Sequence, residues 1–281
     1  MLRKHPFQMG MKRVWAVFFS PTGGTEKVTT TVAKTVAKAL DAEFCAYDFT
    51  LPQGREEEVI FGAGDLVVLG TPVIAGRIPN LLLPYLNEKI SGEGAVGVPV
   101  VSFGNRSYDD ALIELRNIME LKGFQTIAGG GFVSEHSFSR TLGGGRPDAE
   151  DIAKLTAFGE EIAEKINAGW EYIGPVHVKG EDPIRPYFIP RDRHGNAIDI
   201  RKVKPKTGEG CCGCGICAEV CPLGSIPKEN PTITPGTCMK CCACIKKCPM
   251  GAKYFDDAGF IYHKEELEEL YEGRAEGEYF L

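Results

Sequence analysis

Two short stretches dominate what this chain can become: CCGCGICAEVCP at residues 211–222 and CMKCCACIKKCP at 238–249, which hold ten of its 11 cysteines. In the first, Cys211, Cys214, Cys217 and Cys221 are spaced C-x2-C-x2-C-x3-C and followed by Pro222. In the second, Cys238, Cys241, Cys244 and Cys248 repeat the spacing and are followed by Pro249. Three thiolates at such short intervals converge on one small body, and the intervening loops turn backbone N–H groups toward it. Gly213, Gly215, Ala218 and Ala243 leave room for that approach. The proline ends each loop and turns the chain back toward the other run. Zinc needs only four ligands, commonly as two separated C-x2-C pairs. It leaves the third cysteine and the Cys-Pro step unexplained, twice. The pattern instead predicts a cubane 4Fe–4S cluster for each run.

This is the spacing of bacterial-type ferredoxins, in which the fourth cysteine of each run ligates the other run's cluster. One expected ligand set is therefore Cys211, Cys214, Cys217 and Cys248. The other is Cys238, Cys241, Cys244 and Cys221. Cys212 and Cys242 read as small polarisable fillers beside ligands, and Cys45 as plain core.

A net charge of -6 argues against a nucleic-acid backbone as partner. No stretch approaches the ~18 apolar residues of a spanning helix, so membrane insertion is not expected. The apolar run Val14 to Phe19 is too short for a signal sequence and lacks a cleavage site. Residues 1–11 read as an N-terminal extension. The expected compartment is the cytoplasm, where thiols stay reduced and clustered cysteines mean metal rather than disulfides.

The front of the chain alternates strands and helices. Val14–Phe19 is a buried strand that runs into Ser20-Pro21-Thr22-Gly23-Gly24-Thr25, and Val28, Val32, Val36 and Leu40 then recur at helical spacing. Further strands are expected at Phe44–Asp48, Leu66–Leu69, Val98–Phe103 and Thr126–Val133. Helices are expected through Leu112, Leu115 and Met119, and from Asp148 through Ile166. The fold class is thus α/β: a doubly wound, five-stranded parallel sheet with a small C-terminal α+β domain around the clusters. In such sheets ligands bind beyond the carboxyl ends of the strands. The loops after strands one, three and four (SPTGGT, GTPVIAGRIP and SFGNRSYDD) should converge there.

SPTGGT resembles the FMN-phosphate loop of flavodoxins, and FGNRSYDD resembles their second flavin-ring loop. Over residues ~12–255 the chain resembles fused flavodoxin–ferredoxin proteins. The resemblance implies a flavodoxin-like domain at 12–169, a linker at 170–206, a ferredoxin-like module with two 4Fe–4S clusters at 207–255 and an acidic tail at 256–281. It places FMN phosphate on Ser20, Thr22, Gly23, Gly24 and Thr25. The ribityl chain would follow Thr71, Pro72 and Ser102, with the ring near Val73, Gly104, Asn105 and Tyr108. The loop after strand three, Val73-Ile74-Ala75-Gly76, lacks the aromatic that many flavodoxins stack there, so Tyr108 is the expected stacking residue.

The linker has some local order and could turn a hairpin at Arg193–Asn196; for the tail a solvated face is the default reading, with docking back on the body as the alternative. No proton-transfer residue stands out, although His136 would lie near the ring. A flavin exchanges electrons in pairs or singly, and a cluster one at a time. The implied role is an electron carrier between redox partner proteins. A reductase fed through the clusters and an iron–sulfur protein with a vacant flavodoxin-like domain are the alternatives.

Overall fold

The computed structural model describes residues 10–281, so residues 1–9 of the expected extension lie outside the described residues. β1 (Arg13–Phe18), β2 (Glu43–Asp48), β3 (Asp65–Pro72), β4 (Val96–Phe103) and β5 (Gly129–Val133) pair in the order β2-β1-β3-β4-β5, all parallel. Their apolar runs follow from burial on both faces, since every residue of β4 is buried. The expected fifth strand over Thr126–Val133 is broken: Gln125–Thr126 pairs with the start of β4 and β5 with its end.

Period two sorts the strand residues between two cores. Val14, Ala16, Leu66, Val68 and Val98 face α1 (Gly24–Ala39) and α4 (Ala149–Asn167). Val17, Val67, Leu69 and Val101 face the other layer, with α2 (Leu83–Glu88) and α3 (Ala111–Leu121). Val28, Val32 and Val36 of α1 share a core with Leu155, Phe158 and Ile162 of α4. Burial of each such side chain contributes about 1.5–3 kcal/mol. A capping box, Asp148 with Asp151, starts α4.

The linker is held on the body: Val176 and Val178 are buried in the core, and Asp110 holds Arg185 in an ion pair at 2.6 Å. Its turn closes through an isolated bridge between Arg191 and Ala197. The acidic tail is not a solvated appendage. Beyond β6 (Lys206–Thr207), α5 (Ile216–Glu219), α6 (Ala243–Lys246) and β7 (Lys253–Tyr254), the chain forms α7 (Ala258–Leu270) and β8 (Glu278–Phe280). Phe260, His263 and Leu267 of α7 are buried. β8 joins the main sheet antiparallel to β5, making it seven-stranded with Gln125–Thr126 counted. Among the described residues, no helix is long and apolar enough to cross a membrane.

Candidate functional site: thiol-lined cavity and sheet-end loops

The two cysteine runs fold as near-copies. Each places a residue with left-handed backbone directly before a single-turn helix: Gly215 (φ 76°) before α5 and Cys242 (φ 59°) before α6. One step earlier the same conformation recurs at Gly213 (φ 70°) and Lys240 (φ 58°). Glycine reaches this region without cost, whereas Lys240 and Cys242 hold it against side-chain strain. Cys242 is thereby turned inward and buried, matching a filler rather than an exposed thiol. β6 and β7 pair antiparallel beneath the runs.

Cys211, Cys214, Cys217 and Cys248 line one cavity, about 320 Å³ including the part open to solvent, together with Cys212, Met250 and Lys253. Cys221 lies near the second run, and its charge acts on Cys238, Cys241 and Cys244. Backbone amides point at sulfur: Ser225 N donates to Cys221 Sγ at 3.3 Å, and Ala252 N to Cys248 Sγ at 3.3 Å. Burial pushes the Cys241 and Cys244 thiols up to about 12. Burial also acts upward on Cys248, but backbone amides led by Ala252 outweigh it and bring its thiol below the ordinary value. Thiols held neutral by burial become thiolates when a metal supplies positive charge. Among the described residues, no three His, Cys, Asp or Glu side chains meet closely enough to hold a single metal ion.

One cation breaks the rule that buried charge is paired. Lys253 is 3% exposed and lines the cavity, and its Nζ has no hydrogen-bond partner among the described residues. An anionic body in the cavity would satisfy it. The donor set, the inward amides and this orphan ammonium together fit an iron–sulfur cluster.

At the carboxyl end of the sheet, SPTGGT does form the β1–α1 turn. Gly23 (φ 94°) is the N-cap of α1 and offers no side chain of its own, so the first-turn amide of Glu26 is taken by Ser20 instead. Ser20 Oγ accepts from Glu26 N at 2.9 Å, Ser20 N donates to Thr50 Oγ1 at 2.8 Å, and Thr25 Oγ1 bonds Ser102 Oγ at 2.7 Å. Gly24 packs on Ser134 so closely that a Cβ would lie 2.8 Å from that side chain. Thr71 Oγ1 is buried without a partner, and Pro72 and Val73 continue the strand, Val73 N donating to Ser102 O.

The ring end is different. Tyr108, the expected stacking residue, is 4% exposed and lies in the core. Gly131 makes this possible, because any Cβ there would fall 2.6 Å from the tyrosine ring. The Tyr108 hydroxyl donates to Glu278 of β8 at 2.5 Å; burial, then that carboxylate, pushes its pKa up. Asn105, at φ 66°, donates through Nδ2 to Tyr271 O (2.6 Å) and Gly273 O (2.8 Å) and accepts from Ala275 N (3.1 Å). Gly104 is covered by His136, whose ring would stand 2.3 Å from a Cβ. The residues meant for a flavin ring are thus engaged by segment 271–280 and by the loop after β5. Sequence reasoning missed this because the covering residues lie far away in the chain.

The cysteine module docks on that same end of the sheet. Lys246 of α6 inserts Nζ between Glu135 Oε1 (2.5 Å), His136 O (2.6 Å) and Ser139 O (2.9 Å). Arg55 Nη2 donates to Pro222 O, and Met239 packs against the main core. Burial, then Lys246, lowers His136 to about 4, and its Nδ1 accepts from Phe138 N at 3.1 Å.

The strand order β2-β1-β3-β4-β5, with helices on both faces, defines a flavodoxin-like α/β fold for the front part of the chain. No protein-family model matches the sequence, and no curated protein does either. Solved structures similar to it include a flavodoxin from the domain Archaea, 16% identical, with a TM-score of 0.40, covering 56% of this chain and 99% of its own. A flavodoxin of Streptococcus pneumonia TIGR4 is 18% identical with a TM-score of 0.40, covering 54% and 99%. The rubredoxin oxygen:oxidoreductase of Desulfovibrio gigas is 15% identical at 0.40, covering 58% of this chain but 38% of its own.

Proposed function

We propose that this protein is an electron carrier in which the two cysteine runs hold a pair of 4Fe–4S clusters and pass single electrons between redox partner proteins. The observation that carries the reading is the cavity walled by Cys211, Cys214, Cys217 and Cys248, with the partnerless ammonium of Lys253 in its lining. The second set is Cys238, Cys241, Cys244 and Cys221. Bound clusters supply one-electron chemistry at low potential. The chain's own residues do the rest: amides of Ser225 and Ala252 stabilise sulfur charge, and Lys246 fixes the module against the loop after β5. The first set opens outward, since Cys212, Cys214 and Met250 are exposed, and the second is the more enclosed. Electrons exchanged with a partner protein therefore enter or leave at the first set.

For FMN, the phosphate end is compatible: Ser20, Thr22, Gly23, Gly24 and Thr25 lie about the start of α1, whose N-cap Gly23 supplies no side chain. The ring end, at Val73, Gly104, Asn105 and Tyr108, does not fit while segment 271–280 covers it. We assign no step to a flavin. The same coverage favours, as a second reading, an iron–sulfur carrier whose flavodoxin-like domain stays vacant.

Anaerobic purification with iron, sulfide and flavin counts and a visible spectrum tests both readings. Iron and sulfide in equal amounts are expected, and a zinc-loaded or metal-free protein overturns the proposal. If flavin is present, Thr22→Glu should expel it and leave the iron in place.

A further inference from the structure

The two runs continue in parallel past their prolines: Cys221-Pro-Leu-Gly-Ser-Ile226 and Cys248-Pro-Met-Gly-Ala-Lys253. Ser225 and Ala252 match in role, each donating its amide to the last sulfur of its run. The next position does not match. Ile226 is 4% exposed and packs with Cys217, Ala218, Cys221 and Cys244. The repeat thus expects an apolar side chain that fills the space between the two sulfur sets. At the equivalent place the chain carries Lys253, equally buried.

A lysine at such a site usually reaches solvent or a carboxylate. Lys253 does neither: its Nζ is enclosed and has no hydrogen-bond acceptor. It lines the cavity walled by Cys211, Cys214, Cys217 and Cys248, of the first set, and its strand β7 packs against α6, which carries Cys244 of the second. Dispersion packing would be served as well by the isoleucine that the other repeat uses. What lysine adds is charge, in a place where charge is costly unless something negative lies beside it.

We propose that Lys253 is an internal counter-cation for the cluster pair, a fixed positive charge set between the two thiolate groups that makes both clusters easier to reduce. The inference rests on the reading that the runs hold clusters. Each electron added to a cluster makes it more negative by one charge, and a buried cation beside it stabilises the reduced form over the oxidised one. Low dielectric and the lack of any protein acceptor keep that interaction unscreened. Because Lys253 lines the cavity of the first set and its strand β7 packs against α6, which carries Cys244 of the second, it acts on both clusters rather than tuning one alone. The asymmetry of the repeat follows: one isoleucine completes the packing, and one lysine supplies the charge.

The experiment compares the full chain with Lys253→Ile, Lys253→Met and Lys253→Arg, each purified anaerobically and assayed for iron and sulfide. Each is then titrated with dithionite at controlled potential and followed by electron paramagnetic resonance. At the potential where the wild-type clusters are half reduced, Lys253→Ile should show a reduced-to-oxidised ratio lower by tenfold or more, which is 59 mV or more for one electron. Lys253→Arg should return most of that ratio. Iron lost from the Ile and Met variants but kept in the Arg variant also supports the proposal, since charge is then needed even for assembly. A full iron complement with an unmoved titration overturns it, as does iron loss from all three variants, which marks a packing role. Wild-type protein lacking iron and sulfide refutes the cluster reading itself, a separate result.

Discussion

Replacing Asn105 by alanine tests whether segment 271–280 is held over the sheet end by one side chain. The amide makes three hydrogen bonds to that segment, to Tyr271 O, Gly273 O and from Ala275 N. At about 1 kcal/mol each for neutral bonds, their loss amounts to about 3 kcal/mol. The contact with Arg146 at 3.4 Å adds little. Alanine at φ 66° costs about 1–2 kcal/mol more in the left-handed region. Asn105→Gly removes the same bonds without that backbone cost, so the two variants should differ by roughly that amount. The loss should be local. β8 is otherwise held by its pairing with β5 and by Tyr108, and Arg274 by Asp148. Native-state hydrogen exchange should therefore accelerate at the amides of 275–280 by about a hundredfold in Asn105→Gly, since 1.4 kcal/mol is tenfold. Amides of β1 and β3 should keep wild-type rates. Equal acceleration everywhere, or none at 275–280, would refute the idea that Asn105 fastens this segment.

Removing residues 273–281 should uncover Tyr108 and Asn105, and FMN added to that variant should lose fluorescence on binding at concentrations where the full chain shows no change. Lys246→Met strips a largely buried ammonium from three acceptors and leaves Glu135 unpaired; a cost of about 2–5 kcal/mol is expected at the module interface, read as faster proteolysis near residues 134–146. Acid should loosen the same interface. His136 is lowered by burial, then by Lys246, His263 and Arg106, with Glu268 opposing, to about 4. An unfolded histidine takes its proton near 6.5 while the folded one resists, so its contribution is complete above pH 6.5 and is lost as pH falls toward 4. Exchange protection at 134–139 should decline across that window, and His136→Gln should flatten the decline.

The parallel strands could be read from the sequence because both faces are buried, which turns β1, β3 and β4 into unbroken apolar runs. The cysteine runs stand out for a different reason: spacings of two or three intervening residues leave a short chain few ways to aim its sulfurs. What escaped was decided by distant partners. Nothing in Gly-Asn-Arg-Ser-Tyr says that Tyr108 will turn inward; a glycine on the neighbouring strand, Gly131, decides it. A three-residue strand such as Glu278–Phe280 has no readable periodicity, and it exists because β5 offers an unpaired edge. Nothing in the sequence around Lys253 marks it as buried; the fold encloses it.

β8 follows both cysteine runs along the chain, yet it completes a sheet begun before them. During synthesis the β5 border therefore stays unsealed, able to recruit stray strands, throughout the period when the thiols emerge. Sealing waits until both cysteine runs have been made, because the strand that closes this border lies beyond them in the chain.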